Sequence, residues 1–430
     1  MSEVSRSKAR DLISALRDGT VPANGAADLA VGLDQPLDAL LDQLGYVAGG
    51  CTAVRFVEGA YGSGKTFLCS LLREKAFSKN FVASVYVVSP DAPLGRLPIV
   101  YSRIMDGIRT KSKHSSTALP DILEKWLLSE YSRAKNLVGG SKKDVHRHVL
   151  QQIDVRLQSI SEAAPSVARV VKAYYRTRLD RNVELSRAAI AWLRGSQSVP
   201  VTMRRELGVR GEIDKEDLYG AIKAIALIIR EAGYDGFLII VDEAETIQRL
   251  SYQRQREDAY EVLRVLIDSA GENRFPGCLF VVTGTEHFFQ DPLQGLKSYK
   301  ALADRIERPD TFTTQTTSRQ PILHLTGLQR DDLAVIARKV RDIHAIAYDW
   351  NAAASVPDEY LNDVAQKVTD NFGQSIERLP RGFLREIVHI CDVAEEHGVR
   401  FGRDDDEVMD DRLGDRLQAD AVDRSRLVDL

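Results

Sequence analysis

The chain has 430 residues, of which 44% are hydrophobic and 28% are charged, and its formal net charge is −4. This composition excludes a wholly disordered chain, a collagen and a coiled-coil rod, and the length predicts two or three domains. The longest apolar runs, residues 224–229 and 237–241, are far shorter than the roughly 20 residues that span a membrane. Since no apolar segment follows the N-terminal residues, we expect a soluble, cytoplasmic protein without a membrane partner.

Patterns of strands and helices alternate at both ends of the chain and enclose a long helical stretch. The predicted helices lie at residues 5–16, 35–44, 67–77, 258–269, 331–347, 357–371 and 381–397, and throughout 97–230. The predicted strands lie at 52–57, 81–89, 237–241, 279–283 and 322–325. Strands that alternate with helices predict an α/β fold with a parallel sheet.

A phosphate loop is predicted at residues 59–66, which read GAYGSGKT and match G-x-x-x-x-G-K-[ST] without a mismatch. The loop follows a predicted strand and opens a helix, so its backbone N–H groups can cradle phosphate oxygens. Lys65 supplies a mobile positive charge to the β- and γ-phosphates, and the Thr66 hydroxyl is a Mg²⁺ ligand. The predicted nucleotide-binding residues here are Gly59, Ala60, Tyr61, Gly62, Ser63, Gly64, Lys65, Thr66 and Phe67.

An acidic pair, Asp242 and Glu243, ends the apolar strand 237–241. Because parallel strands end at the same edge of a sheet, Asp242 is expected beside the phosphate loop as a second Mg²⁺ ligand. Glu243 points the other way along the pleat, where it can polarise a water for attack on the γ-phosphate. The second acid favours hydrolysis over nucleotide binding alone.

A polar side chain at the end of the next strand is expected to reach the γ-phosphate or the attacking water. Thr283 is the candidate and Thr285 is the alternative. A strand-end threonine without such a role would fit the same pattern.

Two pairs of arginines are candidates for contact with phosphate. Arg305, with Arg308 as the alternative, precedes the fifth predicted strand and could enter a neighbouring subunit's site as a finger, or lie on a solvated helix face. Arg381, with Arg385 as the alternative, opens a predicted helix. A cation is unfavourable in the first turn of a helix, so contact with bound phosphate would explain Arg381, and a surface ion pair is the other interpretation.

Charge is segregated along the chain. Residues 95–230 hold 25 Lys and Arg against 14 Asp and Glu, a net charge of +11 against −15 for the remainder. Arg169, Lys172 and Arg176 share one face of a predicted helix, where they could follow the phosphates of double-stranded DNA. A solvated face, or one paired with the acidic remainder of the chain, would produce the same pattern.

These motifs, with several shorter segments, resemble the ATP-binding proteins of BREX phage-defence systems, the BrxC/BrxD family, and among them the shorter, BrxD-like members. The matching segments are residues 17–22, 31–32, 58–68, 94–97, 100–101, 241–245, 283–285 and 379–385. The resemblance covers most of the chain, and its N-terminal and lid segments are more particular than the phosphate loop.

The resemblance implies an AAA+ P-loop ATPase related to origin-recognition and Cdc6 proteins, with ATP and Mg²⁺ as cofactors. It places Val31 and Gly32 near adenine and implies defence-system partners such as a helicase or methyltransferase. The expected domains are an ATPase core at 1–94 and 231–327, a basic helical insertion at 95–230, a helical lid at 328–402 and an acidic tail at 403–430.

Two functions fit the sequence. In the first, the chain hydrolyses ATP, forms a homo-oligomer and couples turnover to double-stranded DNA or to a DNA-acting partner. In the second, it is a slow ATP-dependent switch that regulates a partner protein without touching DNA. The basic insertion favours the first, and the lack of room after the lid for a winged-helix DNA reader favours the second.

Overall fold

The computed structural model describes residues 4–20, 25–138, 141–161, 164–213, 217–306, 320–372 and 380–402. These residues form a parallel five-stranded sheet in the order β2-β3-β4-β1-β5. The strands are β1 Ala53–Glu58, β2 Phe81–Val87, β3 Gly236–Asp242, β4 Cys278–Gly284 and β5 Ile322–His324. Each predicted strand is confirmed to within two residues at either end, and so is the expected α/β fold.

The central strands are buried on both faces. All seven residues of β3 and all seven of β4 are buried, as expected for continuous apolar runs in a sheet covered on both sides. In the register of the sheet, Val57 pairs with Thr283 and Val241 pairs with Val282. The carboxyl ends of β1, β3 and β4 therefore meet at one edge, and this edge carries the phosphate loop and the acidic pair.

One face of the sheet is covered by the helices that separate β2 from β3, together with those that follow β3 and β4. The first group is α5 Leu97–Asp106, α6 Leu119–Val138, α7 Lys142–Ser161, α8 Pro165–Leu179, α9 Val183–Leu193, α10 Val201–Glu206 and α11 Leu218–Glu231. The second is α12 Gln253–Gly271, α13 Glu286–Gln290 and α14 Lys300–Ile306. Their buried side chains, including Trp126 and Trp192, form one continuous core with Phe56 and Phe237 of the sheet.

The opposite face of the sheet is covered by helices from the N-terminal part of the chain. These are α2 Ala26–Leu29, α3 Asp34–Ala48 and α4 Lys65–Ser78. Leu40 and Leu44 of α3 and Leu68 and Leu72 of α4 are fully buried against apolar strand residues on this face. The phosphate-loop helix α4 is thus held firmly on the sheet.

A second helical layer joins the two ends of the described chain. It consists of α1 Arg6–Arg17, α15 Arg330–Tyr348, α16 Ala352–Ser355, α17 Asp358–Phe372 and α18 Pro380–His397. Helix α1 packs on α15 and α18 around a core that includes Leu12, Leu333 and Ile387. Phe67 of α4 contacts both this core and the core beside α3, so it connects the phosphate-loop helix to the second layer.

Within the described ranges, no helix is long and apolar enough to cross a membrane. The predicted acidic tail, residues 403–430, lies outside the described residues.

Candidate nucleotide site

The phosphate loop has the backbone geometry that its glycines permit. Gly62 and Gly64 adopt φ angles of 89° and 95°, a region that side chains disfavour. A Cβ atom at Gly59 would overlap the Ser63 side chain. Glycine is therefore favoured at these positions. The loop leads directly into the N-terminus of α4, where backbone N–H groups lack partners in the helix.

The side chain of Lys65 folds back onto the phosphate loop. Its side chain is buried, and Nζ donates hydrogen bonds to the carbonyl oxygens of Gly59 at 2.7 Å and Ala60 at 2.9 Å. Burial lowers the pKa of the ammonium, while the carboxylates of Glu245 and Asp242 oppose that shift. The ammonium thus stands at the loop with two neutral carbonyl partners, which charged phosphate oxygens can replace.

Thr66 and Asp242 meet across the edge of the sheet, although 176 positions separate them. The Thr66 hydroxyl donates to Asp242 Oδ2 at 3.1 Å. Mg²⁺ in nucleotide sites takes one or two protein oxygens together with phosphates and waters. The hydroxyl and the carboxylate are oxygen donors of this kind, so the residues present fit a Mg²⁺ ion that is bound with a nucleotide.

Thr283 lies beside the acidic pair, as predicted from its strand end. It is fully buried, its hydroxyl donates to Asp242 Oδ1, and it accepts the backbone N–H of Glu243 at 3.3 Å. Both oxygens of the Asp242 carboxylate therefore have a hydroxyl donor, one from Thr66 and one from Thr283. Thr285, the alternative, is occupied in capping α13, where it accepts the N–H of Phe288.

Glu243 has an unusual backbone that turns its side chain to the exposed side of the strand end. Its φ of 59° and ψ of 42° are left-handed, a conformation that costs a non-glycine residue roughly 1–3 kcal/mol. The N–H of Glu243 donates to Asp242 Oδ1 at 3.1 Å as well as to Thr283, and these bonds hold the strained residue. Asp242 is buried and Glu243 is exposed, as expected if the two side chains point in opposite directions at the strand end.

A third acid, Glu245, was not among the predicted site residues. It lies in the 3₁₀ helix Ala244–Arg249, is 6% exposed, and its Oε2 atom has no hydrogen-bond partner among the described residues. Burial raises the pKa of this carboxyl, whereas the Lys65 ammonium lowers it. A carboxyl group two positions beyond Glu243 was visible in the sequence, but only the tight 3₁₀ turn brings it back toward Lys65.

Val31 and Gly32 lie where the second helical layer meets the N-terminal helices. Val31 packs against the core of that layer. Gly32 has a φ of 70°, and a Cβ atom at this position would lie 3.1 Å from the Asp332 carboxylate. The carbonyl of Ala30 next to them accepts a bond from Lys339 at 2.6 Å. Their contact with adenine stays a prediction.

Arg305 does not approach the phosphate loop of its own chain. Its guanidinium pairs with Asp268 and donates to the carbonyl of Ala301. It lines a cavity of about 440 Å³ together with Ala53, at the opposite end of β1 from the phosphate loop. A finger role for Arg305 therefore requires a second subunit. The alternative, Arg308, lies outside the described residues.

The predicted lid arginine cannot be placed in the site. The backbone of Arg381 belongs to α18, but its side chain lies outside what the structure describes. Arg385, one helical turn later, packs beside Gly19 of the N-terminal segment.

The predicted nucleic-acid face of α8 is partly neutralised. Lys172 forms an ion pair with Asp154, whereas Arg169 and Arg176 are exposed. The tyrosines between them, Tyr174 and Tyr175, are buried in the core and cannot stack on bases. Arg169 and Arg176 remain exposed to solvent. Contact of this face with DNA stays a prediction.

A family model described as "BREX system ATP-binding protein BrxC/D" matches residues 4–401. A search of curated proteins found no match for the chain. The family match spans the phosphate loop, the acidic pair, the helices on both faces of the sheet and the second helical layer.

Proposed function

The chain belongs to the BrxC/BrxD family of BREX system ATP-binding proteins, and from this premise we propose that it is a Mg²⁺-dependent ATPase of the AAA+ type. Membership gives it an ATP-binding role in phage defence. The observation that carries hydrolysis is the contact of Thr66 Oγ1 with Asp242 Oδ2 at 3.1 Å, beside the exposed carboxylate of Glu243. The AAA+ assignment is supported by the strand order, with β4 between β1 and β3, and by the helical layer that contacts α4 through Phe67.

In this proposal the phosphates of ATP bind along the backbone N–H groups of the phosphate loop and the N-terminus of α4. Lys65 exchanges the carbonyls of Gly59 and Ala60 for phosphate oxygens. Thr66 and Asp242 hold the Mg²⁺, which neutralises charge on the phosphates when it is bound. Thr283 fixes the orientation of the Asp242 carboxylate for that task.

The Glu243 carboxylate is the proposed base. Its exposed position allows it to accept a proton from the water that attacks the γ-phosphorus, while its backbone stays tied to Asp242 and Thr283. General-base catalysis contributes typically 10²- to 10⁴-fold to a rate. Glu243, rather than Asp242, is placed to meet water because its side chain is exposed while that of Asp242 is buried.

The test compares ATP turnover and ATP binding in three proteins. Wild type should release phosphate, Lys65→Ala should lose both binding and turnover, and Glu243→Gln should bind a fluorescent ATP analogue but turn ATP over about 100-fold more slowly. Turnover by Glu243→Gln at the wild-type rate would refute the base assignment. Wild-type turnover no faster than that of Lys65→Ala would refute hydrolysis itself.

We further propose that turnover is coupled to DNA or to a DNA-acting partner of the defence system, in an oligomer. The pairing of Lys172 with Asp154 and the burial of Tyr174 and Tyr175 favour the second candidate, a slow switch that regulates a partner protein. ATP turnover measured with and without double-stranded DNA at low and high salt separates the two. Stimulation that decreases with salt supports coupling to DNA, and a slow rate indifferent to DNA supports the switch.

A further inference from the structure

An arginine–tyrosine segment, residues 249–256, runs from the last residue of the 3₁₀ helix after β3 through the first turn of α12. Its sequence, RLSYQRQR, contains three arginines and one tyrosine but no acid. Tyr252 is 70% exposed, and Arg249 and Arg254 are exposed as well. In the part of the chain that the structure describes, neither of these two arginines has a carboxylate partner. The segment thus presents an aromatic ring between two unneutralised cations.

The base of the segment is anchored, so these side chains project from a defined backbone. Arg256 donates to the carbonyl of Leu250 at 2.5 Å and closes the turn before α12. Gln253 and Glu257 are joined by a side-chain hydrogen bond of 2.8 Å along the first turn of the helix. The cost of ordering the backbone is therefore already met within the chain.

The segment also contacts the phosphate loop. Arg249 Nη2 lies 3.5 Å from the hydroxyl of Tyr61, which is a 51% exposed residue of the loop. The ring of Tyr61 has its centroid 5.6 Å from Lys65 Nζ. A ligand on Arg249 would therefore be one side chain away from the loop that holds the nucleotide.

We propose that this segment binds single-stranded nucleic acid. Exposed aromatic rings stack on unpaired bases, and exposed arginines pair with the phosphates between them. A base inside a duplex is already stacked on its neighbours, so Tyr252 selects a single strand over a double helix. Binding itself does not depend on the proposed ATPase function; only the coupling through Tyr61 to hydrolysis rests on it.

The segment meets requirements that α8 does not. Sequence-tolerant binding of single strands combines cations with exposed aromatic rings. On α8 the tyrosines are buried and one of the three cations is paired, whereas Tyr252 is exposed and its flanking arginines are not paired with acids. The single-strand contact is therefore placed at residues 249–254, and contact of α8 with double-stranded DNA stays a separate prediction.

The test is fluorescence anisotropy with a labelled 20-nucleotide dT strand, the equivalent rU strand and a 20-base-pair duplex, without nucleotide and with ATP. Tyr252→Ala should weaken binding of the single strands about tenfold, and Tyr252→Phe should restore it. Arg254→Ala should lower the slope of log affinity against log salt by about 0.7. The matched control is Tyr46→Ala, since Tyr46 is 57% exposed on α3, away from the segment.

Melting temperatures of all variants establish that they fold. Equal affinity of wild type and Tyr252→Ala for the dT strand overturns the inference. It is also overturned if wild type binds the duplex more tightly than the single strands and the double variant Arg169→Ala/Arg176→Ala loses that binding. Failure of wild type to bind any probe at low salt also overturns it. Phosphate release is measured on the same samples: strand binding without hydrolysis contradicts the proposed function alone, and hydrolysis without strand binding contradicts this inference alone.

Discussion

The hydroxyl of Thr283 donates to Asp242 Oδ1 while the hydroxyl of Thr66 donates to the other oxygen of the same carboxylate. Two threonines, one in the first turn of α4 and one at the end of β4, therefore fix both oxygens of Asp242. Thr283 also accepts the N–H of Glu243, so one buried hydroxyl controls the carboxylate of one acid and the backbone of the next. Thr283 therefore orients the acidic pair, and its contact with the γ-phosphate or the attacking water stays a prediction.

Thr283→Val removes this hydroxyl while it keeps the shape of the side chain. We expect the protein to fold with a loss of roughly 1 kcal/mol, the usual net contribution of one hydrogen bond. The rate of ATP hydrolysis should decrease about tenfold or more with little change in ATP affinity, because Asp242 and Glu243 lose their orientation. Thr283→Ser, which restores the hydroxyl, is the control, and steady-state kinetics together with nucleotide binding measure both effects. A wild-type rate in Thr283→Val would show that Thr66 alone orients Asp242.

Glu245→Gln tests the buried carboxyl near Lys65. Because burial raises the folded-state pKa of Glu245, its contribution to stability is greatest below its ordinary value of about 4.5 and is lost as pH rises above that value. The neutral glutamine should therefore increase the melting temperature at pH 8 but not at pH 4.5. It should also bind ATP more tightly at pH 8, because a negative charge near the phosphates has been removed. Equal melting temperatures of the two proteins at pH 8 would contradict this explanation.

Local sequence patterns were sufficient to predict the elements that form the sheet. The apolar runs at β3 and β4 and the glycine spacing of residues 59–66 are local signals, and each predicted strand and the loop between β1 and α4 were found. The approach of Thr66 to Asp242 followed from one further rule, that parallel strands end at the same edge. These predictions needed no knowledge of distant contacts.

The features that the sequence did not predict depend on long-range packing. Nothing in residues 6–17 indicates that α1 packs on α15 and α18, more than 300 positions away. Tyr174 and Tyr175 lie between the cations Lys172 and Arg176 in the sequence, but helices α6 and α7 cover them. Their burial depends on partners that periodicity within one helix cannot identify.

A network around the buried His344 ties α1 to the other helices of the second layer and predicts an effect of acid. Trp350 donates to Nδ1 of His344, so the proton of that ring is on Nε2, which donates to Asp392 at 2.9 Å; Arg17 of α1 pairs with the same carboxylate. Burial alone would raise the pKa of Asp392, but these bonds outweigh it and hold the pKa at about 2. The stability that this group provides is present above its ordinary value of 3.8 and is lost as pH falls toward 2.

Asp392→Asn should therefore loosen α1 at neutral pH. The substitution removes the charge that pairs with Arg17 and weakens the acceptor for His344, which is fully buried. Hydrogen exchange in α1 should become faster, while exchange in β3 should not change. Asp11→Asn, the same change at an exposed position of α1, is the control and should have little effect. Unchanged exchange in α1 would show that apolar packing alone holds this helix.

Mixing two inactive variants tests whether Arg305 acts in a neighbouring subunit. Arg305 lies at the far end of β1 from its own phosphate loop, so a catalytic role is open to it only between subunits. Lys65→Ala cannot bind phosphate but still offers Arg305, and Arg305→Ala binds ATP but offers no finger. Each variant alone should hydrolyse ATP at least tenfold more slowly than wild type, and an equimolar mixture should recover part of the lost rate, because some sites combine an intact loop with an intact arginine. Asp268→Ala, which removes the partner of Arg305 but neither function, is the control and should stay active. A mixture no faster than the mean of its two components would leave Arg305 as a surface ion pair with Asp268.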